Sequence, residues 1–198
     1  AGYNIYKELY KLHPSTALYP IHRPEFMDEY IAAGLENRGS LKNAPSVKLW
    51  HQNDVHDHIG KGLHVGFPVF ELTELNPEEI RSLHHCDKIF VCSQWAKDVI
   101  IDQTKFTTED VHVVPLGVDV DIFQPSLSKR PITIFFNCGK WEKRKGHDVL
   151  LKCFNDAFTQ SDDVELWMMC DNPFIGEQNN DWQQLYKNSP LGDKIRII

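Results

Sequence analysis

Two glycines and four cations lie within a single short stretch, GKWEKRKG: Gly139, Lys140, Lys143, Arg144, Lys145 and Gly146. Before it, residues 132–136 (ITIFF) form an apolar, β-branched and aromatic run that reads as a buried strand. After it, HDVLLKCFNDAF has helical period, with Val149, Leu150, Cys153, Phe154 and Ala157 as its expected apolar face. A strand that passes through such a loop into a helix aims backbone N–H groups and the positive end of the helix dipole at one point, which suits a phosphate. The chemistry expected is recognition of a phosphorylated or nucleotide ligand. The loop is neither a Walker loop nor a dinucleotide GxGxxG, and lysines on turns are commonly just solvated, so the rest of the chain has to give it meaning.

A second cluster lies in WHQNDVHDHIGKGLH, where His51, His56, His58 and His64 accompany Asp54 and Asp57. Histidines and carboxylates in a polar loop are the donors of zinc and iron sites, which makes a metal-dependent hydrolase the alternative reading. The spacing fits neither HExxH nor HxHxDH. Just downstream, Glu71 leaves the apolar run 64–70, at the strand end where α/β sheets place their ligand crevices. Glu78 and Glu79 belong instead to a helix opening, with Asn76 as N-cap and Pro77 in the first turn.

The elements that must position these groups alternate. Residues 2–13 carry Ile5, Leu9 and Leu12 with Tyr6 and Tyr10 at helical spacing, and Pro14 ends them. A weaker helix is expected over 25–36, then strands at 47–50 and 64–70, helix 77–85, strand 87–92, Ser93 as N-cap of helix 94–103, and strand 111–114. The polar, proline-punctuated residues 119–130 read as a connection between domains. This order predicts α/β domains with mostly parallel sheets under helices. The expected division is 1–118, 119–130 and 131–198.

With 198 residues, 41% hydrophobic and 25% charged, the chain has the composition of a folded globular protein. A net charge of −7 argues against a general nucleic-acid binder, which needs a basic footprint. Five scattered cysteines with no CxxC pair, Cys86, Cys92, Cys138, Cys153 and Cys170, fall mostly in apolar runs that suit small buried thiols, and they imply a reducing, cytoplasmic compartment. Neither a membrane-spanning run nor a signal segment is expected, which leaves room for peripheral contact with a membrane.

The ordered series CDKIFVCSQWAKDVI, VHVVPLGVDVDIFQP, ITIFFNCGKWEKRKGHDVLLKCFNDAF and VELWMMCDNP resembles the middle of retaining GT-B nucleotide-sugar glycosyltransferases of glycosyltransferase family 4. Ser93 stands where that family has a serine at a strand end. Pro115, Leu116, Gly117, Val118, Asp119, Phe123 and Pro125 resemble its interdomain connection, FPVFELTELNPEEI is similar to its "FE(T)…LP" segment, and GKWEKRKG resembles its donor-phosphate loop. The resemblance covers residues 47–172.

It implies two facing Rossmann-like domains, the first on the acceptor side and the second holding the donor. It implies an enzyme, a retaining hexosyl-type transferase of glycan biosynthesis, that moves sugar from a UDP-sugar or GDP-sugar to a glycan, lipid-linked or protein acceptor without a cofactor or a required metal. Gly139, Lys140, Arg144, Lys145 and Gly146 are then donor-phosphate groups, with Lys140 and Lys145 catalytic through stabilisation of the leaving diphosphate. Asp54, His56 and Glu71 are acceptor-side groups. The sequence departs from the family in three places: Lys140 stands where arginine is common, Leu116 replaces an asparagine, and Cys170, Asp171 and Asn172 replace a GDG. The family's late paired glutamates lie beyond the given residues, so an incomplete second domain, a missing first strand and an inactive chain are expected. A non-catalytic nucleotide-sugar-binding module is the further alternative.

Overall fold

A computed structural model describes residues 2–125 and 130–198. The connection expected at 119–130 therefore lies, at 126–129, outside the described residues. The chain divides into two compact units, Ala1–Asp119 and Val120–Ile198.

The first unit opens on α1 (Gly2–Leu12) and α2 (Glu29–Glu36), then runs β1 (Ser46–Trp50), a 3-10 turn (Gln52–Asp54), β2 (His64–Pro68), α3 (Pro77–Leu83), β3 (Lys88–Val91), α4 (Gln94–Gln103) and β4 (Val111–Val113). The strands lie in the order β1-β2-β3-β4, every neighbouring pair parallel. Parallel neighbours cannot be joined by a tight hairpin, so α3 and α4 carry two of the crossovers, and the histidine-rich loop carries the first. Val55, Leu83, Ile89, Val91, Ile100 and Val111 are fully buried at the centre.

Local chemistry sets the helix starts. The Asn76 carboxamide accepts from the Glu78 and Glu79 amides, and the Glu79 carboxylate accepts from the Asn76 amide, a complete capping box behind Pro77. Ser93 Oγ accepts from the Ala96 amide at 3.2 Å. Helix α2 starts at Glu29 rather than at residue 25 because extended Asp28 caps it, accepting from the Ile31 amide. The same carboxylate accepts from the Tyr3 hydroxyl, which ties α1 to α2. Beside it, the buried Tyr6 ring lies so close to Gly34 that a Cβ there would meet the Tyr6 hydroxyl at 2.1 Å.

The second unit runs β5 (Thr133–Gly139), a 3-10 turn (Lys143–Lys145), α5 (His147–Ala157), β6 (Val164–Cys170), α6 (Gln178–Lys187), a 3-10 turn (Gly192–Lys194) and β7 (Ile195–Ile197). Its sheet is β5-β6-β7, again parallel. Both units thus have the expected α/β, parallel-sheet character, with six α-helices among the described residues.

Three expectations need correction. The apolar run 132–136 does form a strand, but β5 lies at the edge of its sheet and is not buried: Phe135 and Phe136 are exposed. The buried residues of α5 are His147, Leu151 and Phe154, whereas Val149, Cys153 and Ala157 are exposed. The helix is rotated from the hydropathy reading because its first residue, a polar histidine, is fully buried. The cysteines are likewise not uniformly interior: Cys86 and Cys170 are buried, but Cys138 and Cys153 are exposed, and all five are free. No helix among the described residues is long and apolar enough to cross a membrane.

Candidate functional site

Strand β5 continues three residues past its apolar run, paired with β6 as far as Gly139 opposite Cys170. Backbone pairing alone carries Asn137, Cys138 and Gly139 into the sheet, and it sets Gly139 at the carboxyl end of the strand. The chain then turns through Lys143–Lys145 and enters α5 at Gly146, which has φ +73° and ψ 22°. An L side chain is disfavoured in that left-handed conformation, and only glycine adopts it at no steric cost. Gly139 is a glycine of another kind. Its φ is not positive, and a Cβ built on it would meet no described atom within 4 Å. The packing of the described residues does not require a glycine there, and the space above it is open.

The loop is anchored from within. Trp141, 1% exposed amid the cations, packs against His147, Trp182 and Tyr186, with ring centroids 5.0, 5.9 and 5.2 Å away. His147 is fully buried. The Glu142 amide donates to its Nδ1 at 3.0 Å, so Nδ1 is the unprotonated nitrogen and Nε2–H donates to Asn137 Oδ1 at 3.1 Å. Burial holds the imidazole below its ordinary pKa, consistent with this neutral form. Buried Asn172 joins the loops that follow β5 and β6, its Nδ2 donating to the Trp141 carbonyl at 3.1 Å.

Sequence reasoning did not find Trp141, His147, Asn137 or Asn172 as parts of the site. A usable signal was present for one of them: a lone tryptophan in a run of cations is a natural inward anchor.

Of the expected phosphate groups, Lys140, Arg144 and Lys145 are all exposed. Lys140 Nζ lies 4.4 Å from the Phe174 ring centroid. Arg144 Nη2 pairs with Glu142 Oε2 at 3.2 Å inside the same turn. Gly146 offers the first turn of α5 no capping oxygen, although Asp148 Oδ1 accepts from the Val149 amide and so occupies one donor. The structure therefore gathers Gly139, Lys140, Arg144, Lys145 and Gly146 at one strand-to-helix junction. Four cations there outnumber the two carboxylates of Glu142 and Asp148, which gives a positive field at a helix N-terminus.

In the first unit, Asp54 closes the 3-10 turn, with Lys48 Nζ at 3.5 Å and His56 Nδ1 at 3.8 Å. His56 Nδ1 is also 3.0 Å from Ser82 Oγ. His58 sits between Ser46 Oγ, 2.9 Å from its Nδ1, and Cys86 Sγ, 3.5 Å from its Nε2, and it stacks on His64 at 4.6 Å. Burial, then His64 and Lys48, pull its pKa down to about 4. These imidazoles tie the loop to Ser46 in β1, Ser82 in α3 and Cys86 in the turn between α3 and β3. Among the described residues no group of three or more His, Cys, Asp or Glu side chains is placed to hold a metal ion, so the hydrolase alternative has no ligand set there. Glu71 is exposed on the loop after β2. That loop and the histidine loop leave the same carboxyl end of the sheet, since Trp50 pairs in parallel with Pro68 and the Val69 amide donates to the Trp50 carbonyl.

No protein-family model matches the chain, and no curated protein matches it. Among solved structures, the chain is similar to a glycosyltransferase from Rickettsia africae ESF-5, with a TM-score of 0.51 and 18% identity over 68% of this chain. The likeness is one of fold, and this chain spans 39% of that neighbour's length.

Proposed function

We propose that the protein is a glycosyltransferase that moves a sugar from a nucleoside-diphosphate sugar to an acceptor hydroxyl with retention, in the manner of the GT-B enzymes of glycosyltransferase family 4. One observation carries this reading: the β5–α5 junction sets an open glycine, Gly139, a left-handed glycine, Gly146, and exposed Lys140 and Lys145 around one helix N-terminus. The glycosyltransferase fold of the structural neighbour supports it.

In the reaction, the bond from the anomeric carbon to the diphosphate oxygen breaks and a bond to the acceptor oxygen forms, negative charge develops on the leaving nucleoside diphosphate, and the acceptor hydroxyl proton passes to that leaving phosphate. Lys140 and Lys145 stabilise that charge, Gly139 admits the diphosphate to the backbone, and Arg144 and Gly146 complete the cradle. No metal is required in this scheme. The unit Val120–Ile198 takes a UDP-sugar or GDP-sugar. The unit Ala1–Asp119 takes a glycan, lipid-linked or protein acceptor, with Asp54, His56 and Glu71 on that side. Free thiols fit a reducing cytoplasm.

Calorimetric titration with UDP and GDP tests the donor site. Lys145→Ala removes a charged hydrogen-bond donor and should weaken binding about 10- to 100-fold. Gly139→Ala should weaken binding with no loss of thermal stability, because its methyl meets nothing of the described chain. Unchanged affinity in both variants refutes the reading. A panel of UDP- and GDP-sugars, assayed for transfer, then separates an enzyme from a module that binds without turnover.

A further inference from the structure

Phe174 is 79% exposed, the largest exposure among the exposed large hydrophobic residues described, yet it does not sit on a loose loop. Its amide donates to Asn172 Oδ1 at 3.1 Å, and Asn172 is itself buried. The Asn172 backbone exchanges hydrogen bonds with the Asn179 side chain, 3.0 Å at its amide and 2.9 Å at its carbonyl. Its Nδ2 reaches across to the carbonyl of Trp141, the residue after Lys140. One buried carboxamide thus fixes the backbone on both sides of a contact made in the open: Lys140 Nζ over the Phe174 ring, 4.4 Å from its centroid.

We propose that Phe174 is a positioning residue for Lys140, holding its ammonium at the carboxyl end of β5 so that it meets a diphosphate already ordered. The proposal rests on the phosphate-loop reading above. A lysine ammonium swings on a four-carbon stem and lacks the rigid fork of a guanidinium, so ordering it on binding opposes affinity. An aromatic face within about 6 Å attracts the cation through its charge and does not require all three of its N–H donors. With the ring on one side of the ammonium, its N–H donors stay available to anion oxygens on the other. The amide of Phe174, the carbonyl of Trp141 and the body of Asn172 keep ring and loop in register.

The test is a double-mutant cycle on the full chain, with inorganic pyrophosphate and UDP as probes in calorimetric titrations. Phe174→Leu keeps the apolar volume and removes the π face. It should weaken both probes roughly two- to five-fold, the range of an exposed cation–π contact. Phe174→Trp should restore wild-type affinity. Lys140→Met should weaken both probes more, and adding Phe174→Leu to it should change nothing further. An equal loss from Phe174→Leu in both backgrounds overturns the proposal, since the ring would then act on the ligand itself. Tighter binding by Phe174→Leu also overturns it, since the ring would then divert Lys140 from the anion, as does unchanged affinity. Lys145→Ala and Gly139→Ala separate the two levels: if both leave binding intact, the phosphate-loop reading fails, whereas a strong effect of either with no Lys140–Phe174 coupling sinks only this proposal.

Discussion

Replacement of His147 should dismantle the loop from its base. The imidazole is fully buried, accepts from the Glu142 amide and donates to Asn137 Oδ1. In His147→Ala the ring leaves a cavity beside Trp141 and Trp182, and truncation of a large buried side chain costs about 2–5 kcal/mol. Two polar partners also lose their bonds, each worth about 1–3 kcal/mol when left buried and unpaired. The two costs overlap, because a collapsing cavity lets water or new partners in, so a total of about 3–5 kcal/mol is expected for the second unit.

The two nitrogens can be separated. Asparagine places an oxygen near the position of Nδ1 and should keep the Glu142 amide bonded, whereas glutamine reaches towards Nε2 and should keep Asn137 instead. Denaturant unfolding followed by tryptophan fluorescence reads the stability, and amide exchange of the segment 140–147 reads the loop. His147→Ala should expose that segment, His147→Asn should protect it more than His147→Gln, and UDP affinity should follow the same order. If His147→Ala lost less than about 1 kcal/mol, well under the cavity cost alone, or if the two amide variants exchanged alike, the loop would not hang on this ring.

In the first unit, Gly34→Ala should destabilise by about 1–3 kcal/mol in denaturant melts, because the new methyl overlaps the Tyr6 ring and Leu18; a cost near zero would mean that Tyr6 swings aside freely. The pH dependence of stability has a definite sign at His58. Its folded-state pKa, about 4, lies below the 6.5 of a free imidazole, so the unfolded chain binds the proton more readily. Its contribution is fully present above pH 6.5 and is lost as the pH falls towards 4. His58→Gln should flatten that acid limb, and an unchanged slope over the same interval would remove His58 as its source.

The starts of α3 and α4 were legible in the sequence because Asn76, Glu79 and Ser93 accept from backbone amides two or three residues away, and Pro77 fits the first helical turn. The parallel arrangement followed from alternating strands and helices. What the sequence misplaced depends on partners far along the chain. The apolar pattern stopped β5 at Phe136, although β6 pairs with it to Gly139. Hydropathy turned α5 towards Val149 and Cys153, since it cannot register a histidine that is buried because both ring nitrogens are satisfied. The histidine loop looked like a ligand set because its serine and cysteine partners, Ser46, Ser82 and Cys86, stand outside that loop.

The same division of labour explains the phosphate loop. Lys140, Arg144, Lys145 and the two glycines all fall within residues 139–146, since a turn must present them together, and such groups are visible in a single sequence. Their supports are not contiguous: the Asn172 side chain reaches back 31 residues to Trp141, and the Tyr186 hydroxyl reaches back 39 residues to the His147 carbonyl. A substitution in α6 that shifts Tyr186 or Trp182 therefore acts on the loop through the buried face of Trp141 and His147, without touching a cation. Changes on α6 should thus alter anion affinity together with protection of the 140–147 amides, whereas changes at Lys140 or Lys145, both exposed, should alter affinity alone.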